Sequence, residues 1–182
     1  MANRIMVIGV SAGVGKSTFA RKLGEALHIR VYHLDALYWK PGWVEASTVE
    51  FSTAQQEIVN QLQWIMEGNY SKTFEIRVEH ADTIIYLELP LYICLYRVIK
   101  RWITNIGKTR PDMGEGCKEK IDRDFIKFIY TTYSPRKKRM EERMQLFQML
   151  GSKKVIMLKS KREINSYLEN VKRQGKTLHQ RS

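Results

Sequence analysis

The chain has 182 residues, 43% of them hydrophobic, which suits one packed core with an insertion and excludes a disordered or fibrous chain. Its 31 Lys and Arg outnumber its 19 Asp and Glu, and the resulting formal charge of +12 attracts anions without selecting one. The two cysteines, Cys94 and Cys117, exclude a disulfide framework and a Cys-x-x-Cys metal site, and point to reduced thiols in a cytoplasm.

The apolar run 4–10 leads straight into glycines with no cleavage pattern after it, so it predicts a strand and not a signal peptide. Helical spacing follows over 16–27, with Phe19, Leu23 and Leu27 on one face. Further strands are predicted at 30–34, 64–67, 83–89 and 154–158, with helices over 48–63, 72–80 and from Pro90 to about 106. The apolar stretch 83–99 is interrupted by Glu88, Pro90 and Arg97, so it does not span a bilayer.

Residues 107–117 contain three glycines, Pro111 and several charges, and predict a mobile lid outside the packed core. Two helices, 119–132 and 135–150, are expected beyond it, separated at Pro135, and the basic tail after Val171 is expected to fray. Strands alternating with helices require a parallel sheet covered on both faces, a three-layer α/β/α sandwich. The whole chain, 1–182, reads as a single domain carrying the lid at 107–117 and an acceptor-binding segment at 35–63.

Between the first strand and first helix lies Ser11-Ala12-Gly13-Val14-Gly15-Lys16-Ser17-Thr18, whose second half is the phosphate-loop sequence. Glycines there let backbone N–H groups turn inward around phosphates, and the helix N-terminus adds positive potential. Lys16 is expected on the β- and γ-phosphates of ATP and Ser17 on Mg²⁺. The loop is one residue longer than usual at its start, where Gly9 is the available glycine and Ala12 the extra residue.

That extra residue creates Gly9-Val10-Ser11-Ala12-Gly13, which also matches the nucleophile elbow of serine hydrolases. A hydrolase needs a histidine after its nucleophile and acid, and only His179, in the tail, comes late enough. A dinucleotide loop is disfavoured because Thr18 stands where its third glycine belongs.

The stretches Arg4-Ile5-Met6-Val7-Ile8-Gly9, Tyr32-His33-Leu34-Asp35-Ala36-Leu37-Tyr38-Trp39-Lys40-Pro41-Gly42-Trp43, Glu67-Gly68-Asn69-Tyr70-Ser71 and Gly107-Lys108-Thr109-Arg110-Pro111-Asp112-Met113, together with the phosphate loop, closely resemble the bacterial DNA topology modulation proteins. The resemblance spans residues 4–171 and extends to adenylate kinase and other small-molecule kinases. It implies a five-stranded parallel sheet of order 2-3-1-4-5 and transfer of the γ-phosphoryl group of ATP·Mg²⁺ to a small acceptor, a nucleotide or a hydroxyl metabolite. It places Glu67 at the acidic position that holds Mg²⁺ beside Ser17, and Arg97 and Arg101 where adenylate kinases carry one arginine near adenine and one near the phosphates. Arg110 in the lid, ahead of Arg123 and Arg136, would close on the phosphoryl group. The Pro-Arg that follows the glycine in adenylate kinases is Asn69-Tyr70 here, which argues against AMP as acceptor.

Asp35 follows the second strand, where it either orients the acceptor hydroxyl or accepts its proton, or else caps a helix or turn. Tyr38, Trp39 and Trp43 form either a stacking surface or the core of the acceptor-binding segment, and His33 reads as a packed strand residue. Arg136-Lys137-Lys138-Arg139 and the positive charge leave a nucleotide-dependent nucleic-acid-binding switch as the alternative, which is not favoured because no aromatic-rich RNA-binding signature accompanies them.

Overall fold

The computed structural model describes residues 3–151 and 153–179, the last four by backbone only. Five strands make one parallel sheet: β1 (Arg4–Gly9), β2 (Val31–His33), β5 (Trp64–Glu67), β6 (Thr83–Leu87) and β7 (Lys154–Leu158), in the order β2-β5-β1-β6-β7. Numbered within this sheet the order is 2-3-1-4-5, as expected. β1 is central because it is apolar on both faces: Ile5, Met6, Val7 and Ile8 are all fully buried. A strand of this kind fits only between two layers of helices.

One of those layers includes α1 (Lys16–Leu27) and α7 (Lys161–His179), joined where Phe19 stacks on Tyr167 with ring centroids 6.0 Å apart. Gly175 of α7 lies so close to α1 that a Cβ there would meet the Ala26 carbonyl at 3.0 Å. The tail expected to fray is therefore helical to His179. Leu168 and its neighbours supply the apolar face that packs this segment.

The remaining helices are α3 (Thr48–Val59), α4 (Phe74–His80), α5 (Leu91–Thr104) and α6 (Arg123–Leu150). The break expected at Pro135 is absent: α6 is one 28-residue helix with the proline inside it. A mid-helix proline costs about 3 kcal/mol. Buried Ile129 and Tyr133 before it and Met140 and Met144 after it share one face, and each buried apolar side chain contributes roughly 1.5–3 kcal/mol. Packing outweighs the local penalty. The Tyr133 hydroxyl also donates to the Leu89 carbonyl at 2.9 Å, fixing α6 to the end of the sheet.

Three small elements were not foreseen. α2 (Leu34–Tyr38) follows β2 directly, and β3 (Trp39–Lys40) pairs antiparallel with β4 (Val44–Glu45) around a turn with Gly42 and Trp43 at positive φ. The 107–117 segment lies against this hairpin. A Cβ at Gly114 would meet the Trp39 carbonyl oxygen at 1.8 Å, and the Cys117 thiol donates to the Lys40 carbonyl at 3.2 Å. Met113 and Cys117 are buried there, yet neither belongs to the main core cluster.

Helix α3 begins with a reciprocal cap. The Ser47 hydroxyl accepts from the Glu50 N–H, and Glu50 accepts from the Ser47 N–H while also pairing with Lys40. The hydrogen bond from Lys40, followed by those from Ser47, holds the Glu50 carboxyl down at about 2. Replacing Ser47 by Ala is expected to cost about 1 kcal/mol and lower the melting temperature by about 2–4 °C, read by thermal denaturation.

Candidate active site

The phosphate loop begins later than its first glycine suggests. Val10 still donates to the Leu87 carbonyl at 2.9 Å, so the sheet holds the chain to that point and the turn proper starts at Ser11. Gly13 and Gly15 take left-handed φ values of +78° and +104°. A Cβ at Gly13 would lie 2.2 Å from the Cys94 carbonyl oxygen of α5, so glycine is required by space as well as by backbone angle. The loop leaves Gly15 as the N-cap of α1, with no side chain capping the helix start. Free N–H groups of that kind bind anions.

Positions 12–18 line one cleft of about 1570 Å³, together with Asp35, Glu67, Arg97, Arg101 and Arg110. Ser11 does not line it: its side chain is fully buried and its hydroxyl has no hydrogen-bond partner among the described residues. Its carbonyl instead accepts from Lys16 Nζ at 3.3 Å. The elbow serine therefore has no base beside it, which removes the geometric case for a serine hydrolase. The side chain of His179 lies outside the described residues.

Several contacts hold the loop in register with the strand edge. Asn69 accepts from the Gly9 N–H at 3.0 Å and donates to the Gly9 carbonyl at 2.8 Å, tying the segment after β5 to the end of β1. Arg77, fully buried, donates to the carbonyls of Gly68 and Tyr70 at 2.8 and 2.7 Å. Burial lowers its guanidinium to about 10, with the charges of Glu67 and Tyr70 opposing. Neither Asn69 nor Arg77 was expected in the site. Both act on backbone carbonyls and amides, which leave no motif in a sequence.

The acidic side of the cleft is a linked set. His33 Nδ1 lies 2.8 Å from Glu67 Oε1, and Tyr70 donates to Asp35 Oδ1 at 2.7 Å. His33 is thus a cleft residue and not merely a packed one. Burial disfavours its charged form, but the hydrogen bond and charge of Glu67, with Asp112 and Asp35, outweigh it and raise its pKa. Asp35 sits in the first turn of α2, and the expected strand-end cap finds no counterpart, since its hydrogen bond is to the Tyr70 side chain.

The arginines are differently placed. Arg97 donates to the Val14 carbonyl at 3.0 Å, bracing the loop from α5. Arg101 and Arg110 share Glu119: Arg101 Nε lies 2.9 Å from one carboxylate oxygen and Arg110 Nε 2.6 Å from the other, with Asp112 on Arg110 at 2.8 Å. Glu119 was not foreseen as the carboxylate that gathers them. Arg136 and Arg139 line the cleft one helical turn apart, and among the described residues neither is paired with a carboxylate. Burial, then the Arg139 charge, holds the Arg136 guanidinium below its usual range. Arg123 is exposed and lines a separate groove beside α5.

The side chains that would hold a divalent cation here offer hard oxygens. Ser17 and the nearly fully buried Glu67 both border the cleft, and no cluster of three or more His, Cys, Asp or Glu side chains suited to a metal occurs among the described residues. Two protein oxygens completed by phosphate and water suit Mg²⁺, which keeps most of its own waters. The left-handed loop, with no room for a Cβ at Gly13, fits a phosphate chain held by backbone N–H groups.

Among the described residues no helix is long and apolar enough to cross a membrane. No family model and no curated protein matches the chain. Solved structures do match it. A shikimate kinase from Acinetobacter baumannii, in complex with shikimate, aligns with a TM-score of 0.54 and 14% identity over 94% of this chain and 91% of its own. A gluconokinase from Sinorhizobium meliloti aligns at 0.51 and 14% over 100% and 98%. A shikimate kinase from Bacteroides thetaiotaomicron aligns at 0.51 and 14% over 96% and 98%. The chain thus has the α/β fold of P-loop small-molecule kinases.

Burial, and then the Glu67 charge, push the Asp35 carboxyl above its ordinary 3.8, against the Tyr70 hydrogen bond and the charges of Lys16 and Arg110. Ionised Asp35 is therefore less favourable in the folded than in the unfolded chain, and it subtracts from stability as pH rises from 3.8 through the folded value. Asp35→Asn is expected to be more stable than the parent at pH 7, with the gap closing as pH falls towards 4, measured by urea unfolding at both pH values.

Proposed function

We propose that the protein is an ATP-dependent phosphotransferase that moves the γ-phosphoryl group of ATP·Mg²⁺ to a small acceptor. The observation that carries this is the convergence, in one cleft, of a left-handed glycine loop and helix N-terminus with Lys16, Ser17, Glu67 and a set of arginines. The fold shared with shikimate kinase and gluconokinase supports it, as does the resemblance to topology modulation proteins. The departure at Asn69-Tyr70 sets the acceptor apart from AMP.

Each residue has a physical task. The backbone N–H groups of 12–18 hold the phosphates, and Lys16 neutralises charge on the β- and γ-oxygens. Ser17 and Glu67 would hold Mg²⁺, which when bound screens charge between the phosphates. Arg97 supports the loop and borders the adenine side. Arg101 and Arg110, released in part from Glu119 by an incoming phosphate, stabilise charge in transfer, with the 107–117 lid excluding water. The 35–63 segment receives the acceptor, and Asp35 orients it. Catalysis on this plan is positioning and electrostatics.

Lys16→Ala is expected to lower phosphoryl transfer by about a hundredfold or more while leaving the melting temperature nearly unchanged. ADP release from ATP in the presence of an acceptor is the measurement. Turnover at the parental rate in that variant would remove the assignment.

A further inference from the structure

The acceptor side of the cleft differs in chemistry from the donor side, and the difference bears on what is phosphorylated. The oxygens of a phosphate monoester are largely deprotonated at neutral pH and are repelled by a carboxylate. An alcohol must lose its proton as it attacks, so it gains from a carboxylate at the same place. Asp35 stands on the acceptor segment with Oδ1 engaged by the Tyr70 hydroxyl at 2.7 Å, and it borders the cleft. Of the other cleft-lining carboxylates, Asp112 is paired with Arg110 and the exposed Glu45 accepts from the Tyr38 hydroxyl, which leaves Glu67, beside His33, to add its charge to that of Asp35.

The cations on that side do not offset them. Lys72 and Lys120 are solvent-exposed, and Lys120 Nζ is committed to the Trp43 ring at 4.8 Å from its centroid. Arg77 is fully buried and spends its hydrogen bonds on the Gly68 and Tyr70 carbonyls. Positive charges acting on Asp35 come from Lys16 and Arg110, which belong to the phosphate loop and the lid. Arg136, seated over the Phe128 ring, and Arg139 lie on α6, and among the described residues neither is paired with a carboxylate.

The walls are aromatic. Tyr38 touches Trp39, Phe51 and Tyr70 with ring centroids 4.8 to 5.1 Å apart, and Trp43 extends the group 5.3 Å from Trp39. Phe51 is buried, whereas Tyr38, Trp39, Trp43 and Tyr70 are only partly covered and border the cleft. A small sugar alcohol covers this surface only with its C–H groups, whereas a flat heterocycle stacks on it, and base–aromatic stacking contributes about 1–3 kcal/mol per base.

We infer that the acceptor is a nucleoside-like alcohol, an uncharged hydroxyl compound carrying a flat ring, and not a nucleoside monophosphate or a hydroxy acid. This rests on the phosphotransferase assignment above. In the step, the acceptor hydroxyl oxygen bonds to the γ-phosphorus as the bond from that phosphorus to the β–γ bridging oxygen breaks. The hydroxyl proton passes to the Asp35 carboxylate and then to solvent, and ADP leaves with the electron pair of the broken bond.

The test uses the full chain with ATP·Mg²⁺ and four acceptor groups: common ribo- and deoxyribonucleosides, their 5′-monophosphates, the hydroxy acids shikimate and gluconate, and free ribose. ADP release and mass spectrometry of the product are read. At least one nucleoside is expected to exceed its monophosphate, both hydroxy acids and ribose by about tenfold or more in kcat/KM, a margin within one stacked base. A monophosphate, hydroxy acid or ribose that equals or surpasses every nucleoside overturns the inference. Asp35→Asn is expected to lower kcat for the nucleoside about a hundredfold with KM little changed. An unchanged kcat also overturns it. If no acceptor is phosphorylated, the transfer assignment fails, and calorimetry on the parent protein decides the ligand class separately. Tighter binding of a nucleoside than of its monophosphate upholds the chemistry of the pocket, and the reverse order or no binding of either refutes it.

Discussion

The backbone of the phosphate loop runs against the backbone of α5 with no space between them, and much of the site follows from that contact. Gly13 approaches the Cys94 carbonyl closely enough that even one methyl group is excluded. The approach brings the first turns of α5 to the loop, so that Arg97 reaches the Val14 carbonyl and Arg101, one turn on, faces the same cleft. A parallel sheet contributes the other half of this arrangement. With β1 central, the loop after it sits at the middle of the strand ends, and the segments after β2 and β5 on one side and β6 on the other close around it. The cleft is where the connections on either side of β1 diverge.

Much of this was legible because it depends on short-range pattern. The five apolar runs, the loop glycines and the helical spacing of 16–27 each point to one local structure, and the sheet order followed from the resemblance. What escaped depends on partners distant in sequence. Asn69 and Arg77 act on backbone groups, and no spacing reveals a side chain whose target is a carbonyl. His33 looked like packing because a β-strand histidine usually is. Its contact with Glu67 exists only because β2 and β5 are neighbours in register, His33 opposite Glu67. Pro135 misled for the opposite reason, since a local penalty of about 3 kcal/mol was visible and the buried face of α6 that overrides it was not.

The charged residues expected in the site line one cleft, but their partners there were not legible. The sequence marks Arg101 and Arg110 as phosphate-binding residues but says nothing of Glu119, which holds both. A carboxylate shared by two arginines keeps them apart from other anions and aimed into one space, and two mutually repelling guanidiniums would otherwise spread. Glu119 is nearly inaccessible, so any anion reaching Arg101 or Arg110 would compete with a partner that water does not screen.

The hairpin of β3 and β4 and the segment that follows α5 are far apart in the chain yet interlock. Gly114 presses on the Trp39 carbonyl, Cys117 donates to Lys40, and the Trp43 indole donates to the Lys118 carbonyl across a separation of 75 residues. Two loops joined at so many points share one fate in descent. A longer hairpin turn would strand the glycine that fits against it, and a larger residue at 114 would dislodge the tryptophans. A change in the length or bulk of either loop therefore calls for a matching change in the other.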